Sequence, residues 1–151
     1  MANEIHIDYS SGNTVYAVIR NSAGQVWNPA AQVFEDWGTD GHNADDYDLT
    51  LTDKGGSRYL GSFDANIAVG RYTTQAFLQA GANPADTDSL LGSGRIIWRG
   101  NGELTVDKIL ANKAVQNKST GAIDYYDDDG QTVILTHIPT DDESSITRTP
   151  Q

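Results

Sequence analysis

Apolar residues recur at every second position through most of the first hundred residues, and a turn signal closes each short run. A chain patterned this way makes half-buried strands, and short strands hide their apolar sides by stacking one sheet on another. Ile5 and Ile7 alternate with Glu4, His6 and Asp8 before the turn Ser10-Ser11-Gly12-Asn13. Val15, Ala17 and Ile19 share one side of the next strand and Tyr16 and Val18 the other, which predicts a strand covered on both faces. The turn at 21–24 and the segment 25–28 complete a hairpin. Tyr47, Leu49 and Leu51 alternate with polar residues and pair with 58–63 across Lys54-Gly55-Gly56-Ser57. Residues 71–79 are rich in strand formers, and 95–99 is the last strand of the set. Residues 29–46, with Val33, Phe34 and Trp37 as anchors, and 81–94, with Pro84, read as loops. The economical architecture for 1–100 is an antiparallel β-sandwich.

The pattern changes at Gly100-Asn101-Gly102. Leu104, Ile109, Leu110 and Ala114, with Val106 beside them, fall at helical spacing, Thr105 or Asn101 supplies a cap, and Asp107 suits the first turn. About three turns of helix are expected, too few to be stable alone. Residues 122–126 and 131–137 flank Asp127-Asp128-Asp129-Gly130 as a β-hairpin, and the tail adds an edge strand around Ile146 or stays unpaired. A helix, a hairpin and a tail bury too little surface to be self-sufficient. Residues 101–151 are therefore expected to form a helix-plus-hairpin subdomain that docks or oligomerises. Its candidate contact residues are Leu104, Ile109, Leu110, Ile123, Tyr125, Val133 and Leu135. The competing expectation is that these side chains pack onto their own sandwich.

Charge narrows the partners. The 151 residues include 10 Lys and Arg against 21 Asp and Glu, for a formal charge of −11. Residues 1–100 hold 12 acids and 6 bases, and residues 101–151 hold 9 and 4, so neither part is a basic arm. Nucleic acid and anionic membrane, which need clustered Lys and Arg, are not the expected partners. The absence of cysteine excludes a disulfide scaffold and a thiolate metal site. The first nine residues lack a basic start and an apolar run, so neither a signal peptide nor a membrane span is expected, and synthesis is expected in the cytoplasm.

Few residues group as chemistry would require. Aligning Gly130 with the sixth position of an EF-hand loop places Asp127 and Asp129 at positions three and five, but Tyr125 and Thr136 at the ends where carboxylates are needed. A hairpin turn is the expectation there. Asp40, His42, Asp45, Asp46 and Asp48 offer hard ligands in one loop without a diagnostic spacing. His6, His42 and His137 lie in three different elements with no nucleophile motif beside them. Glu35 and Asp36 are adjacent acids, but glycoside hydrolysis needs two carboxylates across a cleft. The Gly-x-Gly strings at 92–94 and 100–102 lack a nucleotide-binding context. No enzyme and no cofactor are expected. Among the tryptophans, Trp98 shares the side of Ile96 and is expected in the core, whereas Trp37 is the candidate for an exposed contact, including a glycan. Tyr72, after Gly70 at a strand entry, invites comparison with a tyrosine corner.

The run Thr14-Val15-Tyr16-Ala17-Val18-Ile19-Arg20-Asn21-Ser22-Ala23-Gly24-Gln25-Val26-Trp27-Asn28 carries a resemblance, continued by Tyr47-Asp48-Leu49-Thr50-Leu51-Thr52, Tyr59-Leu60-Gly61-Ser62-Phe63 and Ala68-Val69-Gly70-Arg71-Tyr72. It resembles an immunoglobulin-like module of tailed-bacteriophage structural proteins, in the style of baseplate upper protein N-terminal domains and of modules joined to tail fibres or capsids. Leu110-Ala111-Asn112-Lys113-Ala114-Val115 and Tyr126-Asp127-Asp128-Asp129-Gly130-Gln131-Thr132-Val133-Ile134-Leu135 are similar to a helix-plus-hairpin segment that ends phage tail or virion proteins. The resemblance implies a mainly β chain with an immunoglobulin-like sandwich. It also implies location in the virion, contacts with other virion proteins, and a homo-oligomer, trimeric or higher. It brings no catalytic residue. The length is short for a baseplate or fibre protein, which favours an adaptor, collar, baseplate or decoration subunit over direct host recognition. The alternative is a carbohydrate-binding or host-adhesion module using Trp37, with calcium in the 40–48 loop.

Overall fold

Five consecutive buried side chains, Val15 to Ile19, make the central strand, because both of its faces are covered by different parts of the chain. The structure is a computed structural model describing residues 3–141 and 146–150. It is mainly β with antiparallel sheets, and it divides into two compact units, 1–100 and 101–151.

The first unit contains two sheets. The smaller has the order β1 (Ile5–Asp8), β7 (Arg58–Gly61), β6 (Thr52–Asp53). The larger runs β4 (Val33–Glu35), β3 (Val26–Asn28), β2 (Val15–Arg20), β8 (Gly70–Leu78), β9 (Ser89–Trp98), with the short β5 (Leu49–Thr50) also paired to β2. One apolar cluster joins them: Ile5 and Tyr59 from the smaller sheet meet Val15, Ala17, Ile19, Ala76, Ile96 and Trp98 from the larger. The Trp98 indole donates to the Ile67 carbonyl at 2.9 Å, so its polar atom is satisfied inside the core. The chain crosses between the sheets at Leu51. Residues 49–50 pair with β2 and residues 52–53 with β7, while Leu51, 5% exposed, donates its N–H to Val15 and buries its side chain. Gly61 lies over that crossing, where a β-carbon would collide with Leu51, so the close approach requires glycine.

Two expected loops prove structured. Residues 29–46 contain β4, a 3-10 turn (Thr39–Gly41) and the start of the short helix α1 (Ala44–Tyr47). Asn43 and Asp46 form a capping box on α1. This strap places Ala44 and Tyr47 on Tyr16, Val18 and Val26, with Trp37 and Phe77 at the margin, and so covers the second face of β2. Residues 81–94 are only in part a loop, since β9 begins at Ser89 and pairs with β8 over its whole length. Gly92 and Gly94 are strand residues: β-carbons there would press on Ile7 and on the Thr74 hydroxyl at 3.2 Å, a crowding that small residues relieve.

The second unit differs from a helix plus one hairpin. Helix α2 (Val106–Ala111) has six residues, and Thr105 caps it by accepting from the Lys108 N–H at 3.4 Å. It stops at Asn112, which turns to extended backbone, so Ala114 belongs to a strand instead of a third helical turn. Four strands follow in antiparallel order, β10 (Ala114–Gln116), β11 (Ile123–Tyr126), β12 (Val133–Asp141) and β13 (Ile146–Pro150). The hairpin is thus the middle of a four-stranded sheet. Among the described residues no helix is long and apolar enough to cross a membrane.

Candidate functional site

The second unit hides little apolar surface. Among its described residues only Ile134 and Leu135 are buried hydrophobics, and they are sequence neighbours brought inside together by a register shift in the β11–β12 ladder. Helix α2 buries none of its residues. Val106 and Leu110, one turn apart on one side of it, are 71% and 80% exposed. Val115, Val133 and Ile138 add exposed apolar side chains on the strands.

Of the residues expected to make contacts, Leu110 and Val133 are exposed, Leu104, Ile109, Ile123 and Tyr125 are half-buried, and Leu135 is interior. Leu135 therefore has no open face to offer, because the bulge turns it inward beside Ile134. Val106 belongs in the set. Its i, i+4 relation to Leu110 was readable once Thr105 is taken as the cap.

The acidic turn is built for its own geometry. Asp129 accepts from the N–H groups of Gln131 and Thr132, each at 2.8 Å, and from the Thr132 hydroxyl at 2.6 Å. The Thr132 side-chain and backbone bonds, followed by the Gln131 N–H, pull its pKa down to about 2. Asp127 pairs with Lys108 of α2 at 2.6 Å and so ties the helix to the turn. Burial disfavours the Lys108 charge, but the bond to Asp127 and the nearby carboxylates outweigh it and raise the pKa. Asp128 remains 75% exposed.

In the first unit the strap gathers Trp37, His42 and Tyr47. The Trp37 indole packs on Tyr47 with centroids 4.9 Å apart, and the Arg20 guanidinium lies 5.0 Å from its ring centroid. Trp37 is therefore half-buried and packs with Tyr47 against the cluster of Tyr16, Val18 and Val26. His42 Nδ1 is 2.7 Å from Glu35 Oε1, and the buried Asn28 amide donates to the same oxygen at 3.1 Å. Of the other candidate ligands, Asp46 accepts from the Asn43 N–H and Asp48 from the Thr50 hydroxyl. Together with Asp45, these side chains line an open cleft of about 340 Å³. Among the described residues no three His, Asp or Glu converge as a metal-holding group.

The Glu35 bond raises the His42 pKa, and Asn28, then His42, lowers that of Glu35. A raised histidine stabilises the fold fully below its ordinary 6.5, and that contribution fades as pH climbs through the raised value. A lowered carboxyl contributes above its ordinary 4.5 and fades as pH falls. The pair is accordingly most effective between these two values. Thermal melts should show midpoints declining as pH rises above 6.5, and His42→Gln should flatten that decline. Identical slopes for both proteins would contradict this role.

Comparison of the chain with protein-family models, with curated proteins and with solved structures gave no match in any of the three.

Proposed function

We propose that this chain is a non-enzymatic structural subunit of a tailed-bacteriophage virion, a tail, baseplate, collar or decoration component that works through repeated protein contacts. Its body is read as an immunoglobulin-like β-sandwich. The support is the single core between the two sheets, the crossing at Leu51, and the Tyr72 hydroxyl donating to the Ala68 carbonyl at 2.7 Å, four residues upstream as in a tyrosine corner. The virion assignment rests on the sequence resemblance.

One observation carries the assembly reading: the exposed Val106 and Leu110 ridge on a unit with two buried hydrophobics among its described residues. Other copies of the chain complete that interior, and symmetric repetition makes individually weak contacts effective. Sedimentation of the full chain across a wide concentration range should show a trimer or higher assembly, and Val106→Asp with Leu110→Asp should return it to monomer. A wild-type monomer at all concentrations would remove the assembly reading. Absence of the chain from purified particles would remove the virion assignment.

A further inference from the structure

The outer side of the larger sheet is covered unevenly. The strap lies over Tyr16, Val18 and Val26, toward β2 and β3, but the far end at β8 and β9 has a different character. Ile96 and Trp98 point into the core, so Arg95 and Ile97 point outward, as do Arg71 and Thr73 across the ladder. The register sets Arg71 opposite Ile97 and Arg95 opposite Thr73, which makes the two arginines diagonal neighbours, about 7–8 Å apart at the backbone. Both are exposed, Ile97 between them is 38% exposed, and neither arginine makes an ion pair among the described residues.

Two like charges held side by side without a counter-ion are unfavourable, and in a chain of formal charge −11 they stand out as a local positive patch. Arg20, on the same side of the sheet, shows the contrast: it is engaged by Gln75 at 2.7 Å, by the Gly24 carbonyl at 2.9 Å and by the Trp37 ring. At the end of the sheet, β9 pairs with β8 alone among the described residues, so none of them forms a strand on its second edge.

We propose that Arg71, Arg95 and Ile97 form a docking surface for a second copy of this chain, and that the occupant is that copy's acidic turn at 127–130. The complement is chemical. The turn presents Asp128, whose side chain stays 75% exposed although it accepts from Asn112 at 2.8 Å and lies 3.9 Å from Lys108, with Asp129 exposed beside it and the exposed apolar Val133 at the start of the following strand. Asp129 stays ionised because its own turn holds the carboxylate with three hydrogen bonds. The guanidinium groups would take the Asp128 and Asp129 carboxylates, and Ile97 would meet Val133. Because patch and turn are different surfaces, each contact either is exchanged reciprocally between two copies or repeats head-to-tail into a ring or string. This deepens the assembly reading and rests on it, since it names which charged surfaces meet.

Charge reversal in the full chain tests it. Arg71→Glu with Arg95→Glu, and separately Asp128→Lys, should each weaken self-association about tenfold or more, and raised salt should weaken the wild type. Mixing the two variants should restore association, since each supplies the opposite sign for the other's altered surface. All three substituted residues are exposed, so far-UV circular dichroism should be unchanged. Unchanged association in both variants, with Val106→Asp and Leu110→Asp still dissociating the wild type, overturns the docking surface and leaves the assembly reading standing. Weakening in both variants without recovery on mixing also overturns it. A wild type that stays monomeric overturns both.

Discussion

Tyr47→Ala should destabilise the first unit by about 3–5 kcal/mol, the range for truncating a fully buried large side chain. Tyr47 is 0% exposed and fills the space between the strap and β2. Its ring supports Trp37 and the His42 edge, with centroids 4.9 and 6.1 Å away, and its hydroxyl accepts from the Gly38 N–H at 3.2 Å. Loss of the ring would expose Tyr16, Val18 and Val26 and free Trp37, so the tryptophan emission should shift to the red in the native baseline. Tyr47→Phe keeps the packing and removes the hydroxyl's bonds to the Gly38 N–H and the Glu35 carboxylate, for an expected cost of about 1–3 kcal/mol. Chemical denaturation of the two variants separates these effects. Equal midpoints for both would show that the ring does not hold the strap.

Tyr59 is the second residue whose removal should be severe. It is 0% exposed, sits in the core between the two sheets, and carries its hydroxyl to the turn that precedes β2. There it donates toward the carbonyls of Asn13 at 2.9 Å and Ser10 at 3.1 Å, and accepts from the Asn13 N–H at 3.0 Å. Tyr59→Phe strands these groups and should cost about 1–3 kcal/mol. Tyr59→Ala adds a cavity and should cost about 3–5 kcal/mol. Hydrogen exchange provides a sharper readout, because the phenylalanine variant should lose protection first at Asn13 while the β2 amides stay slow. Asp53 holds the neighbouring Gly12 N–H at 2.7 Å and the Ser11 hydroxyl at 3.0 Å, and those bonds, led by Gly12, keep its pKa low. The turn is therefore held from both β6 and β7, and acid should loosen it as Asp53 protonates.

Alternation made β1, β2 and β8 legible because successive side chains divide between the two faces of the sheet at every step. It failed where the partner, and not the local pattern, defines the element. The first half of β9 is Ser89, Leu90, Leu91, Gly92 and Ser93, which reads as a loop, yet β8 offers it a full ladder and the crowding at Ile7 and Thr74 favours the glycines. The strap is rich in Asp, Asn and Gly and has no period, but Ala44 and Tyr47 anchor it on a face whose apolar character, Tyr16 and Val18, the sequence did display. Ala114 reads as helix because it continues the helical interval of Leu104, Ile109 and Leu110, yet Asn112 ends the helix first and Ala114 opens a strand. For the candidate surface, Leu110 and Val133 were readable as apolar residues without a partner, while the inward turn of Leu135 depends on a register shift that no spacing reveals. The diagonal of Arg71 and Arg95 is likewise a property of the ladder, since the two are distant in the chain.

The crossing at Leu51 has a mechanical meaning. The backbone passes from one layer to the other in a single step, with Leu51 anchored to Val15 on one side and buried under Gly61 on the other. Sliding one layer past the other would therefore have to strain the backbone at Leu51 as well as break the packing between the sheets.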